Sequence, residues 1–208
     1  MTAESSDRFR LRRAGRAFAR QQRGGILIEI AFGMIVLTTL ILGTVETAFY
    51  ILMQQRLDRA ASTIADIVSQ PDDITQGDVA DAFWAAKNLF GGLYDFDANG
   101  YAIVTSVRGG TPTNPPPRIN FQITKACTDV TSTGGPVFNS QVGTGDDQEA
   151  ELPNDLTLQP GESVIIAEVF YNYEPMFSSG MFEGGTQYKT SSRRPRLSAG
   201  VLAGGSTC

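Results

Sequence analysis

The chain contains no histidine. That removes the commonest general base and the commonest metal ligand together. It has two cysteines, Cys127 and Cys208, too few and too far apart for a zinc site. No Walker-type loop is present, nor a Gly-rich turn between strand and helix that would cradle a phosphate. Carboxylates are plentiful, at 22 Asp and Glu, and read as solvated surface rather than acid–base pairs. These absences argue against an enzyme and call for no cofactor. Basic residues are also scarce where a nucleic-acid surface would need them. Residues 1–24 carry seven arginines against Glu4 and Asp7, whereas the rest of the chain is strongly acidic. The basic block is short and stops at a hydrophobic segment, which excludes nucleic acid as a partner.

That hydrophobic segment dominates the sequence. Across residues 26–53 the only charged side chains are Glu29 and Glu46. As a helix it would extend about 42 Å, more than the roughly 30 Å hydrocarbon core of a bilayer. Arginines before the span and an acidic chain after it place the N-terminus in the cytoplasm and residues beyond about 50 outside. An ordinary secretory signal would have a shorter apolar core followed by a small-residue cleavage site. The Glu46-Thr47-Ala48-Phe49-Tyr50 stretch does not provide one. Glu46 falls near the outer edge of the hydrocarbon, where a carboxylate is cheap. Glu29 lies only about 6 Å in from Gly25 on the cytoplasmic side, and lipid disfavours it unless it has a partner or a purpose.

Beyond the span the helical pattern continues, with Leu57, Ala60, Ala61, Ile64, Ile67 and Val68 at three- and four-residue steps, until Pro71 stops it. One helix over residues 25–69 is therefore expected. N-cap chemistry at Asp72-Asp73-Ile74-Thr75 introduces a second helix through residues 78–90, closed by Gly91-Gly92. The period then changes to that of strands, at residues 101–107, 119–124, 163–173 and 187–191. Residues 128–155 read as a polar surface excursion. The expected fold class is α+β, a long N-terminal helix packed on a small antiparallel sheet with a second helix. Its expected parts are a leader over residues 1–24, a transmembrane helix over 25–53 and an outer domain over 54–208.

Three further features invite chemistry. Asp95-Phe96-Asp97-Ala98-Asn99-Gly100-Tyr101 matches the first half of a calcium loop, with Asp95, Asp97 and Asn99 as the candidate ligands. The twelfth position is Ser106 instead of a bidentate Glu, and a strand follows where a helix should. An Asn99-Gly100 turn feeding that strand explains the same letters without a metal. Cys127 and Cys208 both fall in the segment assigned outside, where an even pair favours one disulfide, two free thiols being the alternative. Arg193-Arg194-Pro195-Arg196 is either a docking patch for an acidic neighbour or a neutralising edge of the domain.

Three stretches together resemble the TadE-like family of minor pilins, or pseudopilins, of the tight-adherence (Tad/Flp) pilus, within the wider type IV pilin class. They are the junction Arg23-Gly24-Gly25-Ile26-Leu27-Ile28-Glu29-Ile30-Ala31, the long C-terminal strand of residues 163–173 after Pro160-Gly161, and the terminal Arg194-Pro195-Arg196. Ile30 departs mildly from the Phe often found after the Glu. The resemblance implies cleavage by a membrane-embedded prepilin peptidase between Gly24 and Gly25, with a cut after Gly25 as the alternative. It makes Glu29 the residue of assembly. The implied partners are that peptidase, other pilins and pseudopilins, and the inner-membrane assembly platform. The implied role is pilus assembly or initiation and surface adhesion, from a single-pass position in the inner membrane with the C-terminus periplasmic. The other reading is an anchored periplasmic binding module that is never processed.

Overall fold

The computed structural model describes residues 23–112, 116–128, 135–176 and 184–196. The fold is α+β, as expected: a long N-terminal helix, a second helix and a four-stranded antiparallel sheet. The chain divides into two compact units, the first ending at Thr47 and the second beginning at Ala48. Helix α1 (Arg23–Val68) contributes residues to both.

In the first unit α1 is the one described helix long and apolar enough to cross a membrane, and its apolar window is wholly exposed. Ile26, Leu27, Ile28 and Ile30 are each more than half exposed. Three of its hydroxyls are satisfied within the helix: Thr39, Thr44 and Thr47 donate to the carbonyls of Ile35, Leu40 and Gly43 at 2.8–2.9 Å. This lowers the cost of carrying these three threonines into hydrocarbon, where no water is available to bond them.

In the second unit the pattern on α1 becomes one-sided. Met53, Leu57, Ala60, Ala61, Ile64, Ala65 and Val68 are all buried, the stripe that the three- and four-residue spacing predicts. Helix α2 (Gln76–Phe90) packs with them through Val79, Ala82, Phe83, Ala86 and Phe90. Its N-cap is Thr75, within the expected 72–75 stretch, and it forms a capping box: the Thr75 hydroxyl accepts from the Asp78 amide while the Asp78 carboxylate accepts from the Thr75 amide. Gly91, with φ of 61°, closes it. A short helix α3 (Phe96–Asn99) follows.

The strands are β1 (Gly100–Arg108), β2 (Arg118–Thr124), β3 (Ser163–Tyr173) and β4 (Gly185–Arg193), in the order β2-β1-β3-β4, every pairing antiparallel. β3 is central and buried on both faces, which is why it reads as an almost unbroken apolar run. Ile165, Ala167, Val169, Tyr171 and Tyr173 face the helices, and Val164, Ile166 and Phe170 face the other way. The Pro160-Gly161 turn before it is realised with φ of 85° at Gly161, and the Glu162 amide donates to the Gln159 carbonyl at 3.0 Å. In β2 the register shifts between the pairs Ser106–Phe121 and Val107–Ile119, leaving Asn120 as an extra residue. This bulge turns Phe121 to the helices and Ile119 to the opposite face.

One expectation is met in part: residues 135–155 are loop and mostly exposed, yet they also pack on the sheet. The segment read as a surface excursion covers the second face of the sheet. Val142 and Ala150 are buried with Val107, Ile119, Val164 and Ile166, and Phe138 packs with Tyr101, Ile103 and Phe170. Its apolar residues are widely spaced among polar ones, so no periodicity reveals them. The sheet nevertheless has two apolar faces and one pair of helices, and the loop covers the remainder.

Candidate functional site

The residues expected to carry function at the head of α1 are all described and exposed. The helix begins at Arg23, so Gly24 and Gly25 lie in its first turn instead of ahead of it. A Cβ added at either glycine, or at Gly33, would meet nothing within 4 Å. Glu29 is four residues beyond Gly25, on the same helix face and about 6 Å further along the axis. Among the described residues it has neither a hydrogen bond nor an ion pair, and it is flanked by exposed Ile28 and Ile30. Among the described residues this stretch is a bare apolar surface with a single carboxylate. Glu46 contrasts with it: expected at a headgroup interface, it is buried, at 1% exposure.

Two of the three candidate calcium ligands, Asp95 and Asp97, make contacts within the fold. Asp95 caps α3, its Oδ1 accepting from the Asp97 and Ala98 amides at 2.9 and 3.1 Å. Asp97 pairs with Lys87. Beside these side chains the Lys125 ammonium donates to the carbonyl oxygens of Phe96, Asp97 and Gly100 at 2.7, 3.3 and 2.8 Å. The same ammonium lies 4.6 Å from the centre of the Phe96 ring. Burial pushes Lys125 down to about 8, against the raising influence of Asp97. The turn reading of Asn99-Gly100 is corrected. Gly100 is extended, with φ of −104°, and opens β1. It is glycine because a Cβ there would lie 2.1 Å from the Phe96 ring.

The basic cluster at the C-terminal side is engaged within the chain. Arg196 pairs with Asp66 of α1 at 2.9 Å, Arg194 with Glu162 at 3.1 Å, and Arg193 donates to the Ser62 hydroxyl at 3.3 Å. The Arg196 amide also donates to the Ser69 carbonyl at 3.0 Å, holding the end of the described chain to the end of α1. Of the docking-patch and neutralising-edge alternatives, these contacts match the second. Cys127 is disulfide-bonded; Cys208 and the leader of residues 1–22 lie outside the described residues.

Glu168 was missed from the sequence. It sits in the middle of β3, fully buried, and accepts from the Ser140 hydroxyl, the Gln141 amide at 2.8 Å and the Tyr188 hydroxyl at 3.0 Å. Burial raises its pKa, partly offset by the Ser140 and Gln141 bonds. It ties the covering loop to the sheet. The signal was available, since it is the one charge inside the Val164–Tyr171 run of otherwise uncharged residues.

The family described as TadE-like protein matches residues 24–66, from the first glycine of the junction almost to the end of α1. No curated protein and no solved structure matches the chain.

Proposed function

With a TadE-like segment over residues 24–66, and thus a tie to the Tad pilus, we propose that this chain is a minor pilin, or pseudopilin, of a tight-adherence type IV pilus. In this reading it is cut by a prepilin peptidase at the cytoplasmic face and acts in pilus assembly or initiation and in surface adhesion. Its work is structural, not enzymatic. The observation that carries the reading is the exposure of the head of α1: an apolar surface with one carboxylate, matched by the family from Gly24 onward. An anchor that only held a domain in lipid would have no use for Glu29.

The cut falls between Gly24 and Gly25. Each glycine weakens the helix by about 1 kcal/mol relative to alanine, so the first turn opens readily for a peptidase that needs extended backbone. The bareness of both glycines leaves the bond approachable. Cleavage leaves an ammonium on Gly25, near where the Glu29 of an adjacent subunit would lie. Pairing the two in low dielectric compensates both charges and sets the axial register of packed helices. The outer unit is held by a Cys127–Cys208 bond, closing a loop of about 82 residues worth up to about 4.5 kcal/mol on the chain-entropy model. The partners in this reading are the peptidase, sister pilins and the inner-membrane assembly platform, with the C-terminus periplasmic.

N-terminal sequencing of the membrane-extracted protein tests the reading. A start at Gly25 supports it, and replacing Gly24 with a bulky residue then leaves a longer band on a gel. A start at Met1 or Thr2 in piliated cells identifies an unprocessed anchored module and overturns it.

A further inference from the structure

We propose that the unit beginning at Ala48 carries a binding site for a small organic cation, in a cavity of about 320 Å3 walled by Tyr94, Tyr171 and Tyr173 with Asp95 and Glu174 at its rim. Nothing in the pilin reading assigns this site, and it stands or falls without reference to that reading.

The walls are aromatic and fixed. Tyr171 stacks nearly parallel on Phe90, with ring centres 5.6 Å apart, and meets Tyr94 edge-on at 6.1 Å. The Tyr94 hydroxyl donates to the Phe49 carbonyl at 2.8 Å, and the Tyr171 hydroxyl bonds the Asn99 side chain. Tyr173 is held edge-on by Tyr50 at 5.6 Å. Rings anchored in this way need no reordering when a ligand enters, which removes one of the main costs of binding.

The electrostatics select the ligand. Ring faces are negative, and two carboxylates stand at the rim, while among the described residues that line the cavity there is no lysine or arginine. An anion would be repelled by both carboxylates. A cation gains from both carboxylates. One wall already lies beside a cationic side chain of the protein: the Arg56 guanidinium lies 5.2 Å from the centre of the Tyr94 ring, outside the lining of the cavity. The two rim carboxylates outweigh that one guanidinium. The volume is at the small end of ligand sites, so it accepts a head group such as a quaternary ammonium, a primary ammonium or a guanidinium, but not a whole lipid or peptide.

The test uses the full-length protein in an uncharged detergent, titrated calorimetrically with choline chloride and, separately, guanidinium chloride, with sodium chloride as the ionic control. Saturable binding of at least one cation beyond that control is expected. Glu174→Gln should weaken it about 3- to 10-fold, the effect of one partly solvated charge. Glu174→Lys should abolish it, with an unchanged near-UV circular dichroism spectrum showing that the fold is kept. A soluble short-chain phosphocholine lipid added in competition separates the sources. Displacement at lower concentration than choline itself points to a lipid head group, and equal displacement to a free amine; both uphold the site. Absence of saturable binding by either cation, or equal binding by Glu174→Lys, overturns it.

Discussion

The Lys125 ammonium donates to the Gly100 carbonyl at 2.8 Å, at the heart of a loop whose letters suggest a calcium site. The loop does gather backbone oxygens around one positive charge, but the charge is supplied by the chain. Lys125→Met removes the cation and leaves the carbonyls of Phe96, Asp97 and Gly100 without it. Charge-assisted hydrogen bonds contribute about 1.5–3 kcal/mol each, and a buried orphan acceptor costs about 1–3 kcal/mol. Chemical denaturation should therefore show a loss of about 2–4 kcal/mol. A loss under about 0.5 kcal/mol would mean that water replaces the ammonium freely.

Gly100→Ala tests the neighbouring claim that Phe96, not a turn, requires glycine there. The added Cβ would sit 2.1 Å from a ring that is stacked on Phe90 at 4.6 Å. The ring has nowhere simple to go, and overpacking of this kind costs about 1–3 kcal/mol. In a protein of this size that corresponds to a fall in Tm of roughly 4–8 °C for a 2 kcal/mol loss. A Tm unchanged or raised would show that the ring yields.

Glu168 gives the outer unit a pH dependence of unusual sign. Burial raises its pKa in the fold above the ordinary value of 4.5. Between the two values the folded state binds more protons than the unfolded state, so stability falls as pH rises. The contribution is fully present below about 4.5 and is lost on going up through the raised folded value. In Glu168→Gln this part of the profile should flatten, because the amide cannot ionise. Urea unfolding of both proteins across pH 4–8 measures the difference. Parallel profiles would place the ionisation elsewhere.

Glu29→Ala separates processing from assembly. The carboxylate lies about 6 Å along the helix from Gly25 and has no described partner in its own chain, so its removal should leave cleavage largely intact. Incorporation into pili should be abolished, because the charge that meets a neighbour's new ammonium is gone. Electron microscopy and immunoblotting of sheared pili provide the readout. Normal piliation by this variant would remove Glu29 from the mechanism.

Much of the architecture was legible in local patterns. The helix expected over residues 25–69 is found as Arg23–Val68, and the strongest expected strand is found as Ser163–Tyr173. Both are set by short-range rules: apolar spacing, a proline stop, a Pro-Gly turn and β-branched composition. The N-cap expected within residues 72–75 is found at Thr75 for the same reason, since capping operates within four residues. The covering role of the segment around Phe138, Val142 and Ala150 was not legible, because the need for it arises from a sheet face far away in sequence.

The sequence by itself determined the long apolar helix with its one early carboxylate, the change from a helical to a strand period, and the absence of a histidine-based site. Those follow from composition and from interactions within a few residues. Only the tertiary structure decided how the long-range charges are used. It placed Lys125 in the carbonyl cradle of residues 96–100, locked Arg196 onto Asp66, and buried Glu168 beneath Ser140. The physical reason is that desolvation and pairing depend on which distant groups meet, and that depends on the packing of the whole unit.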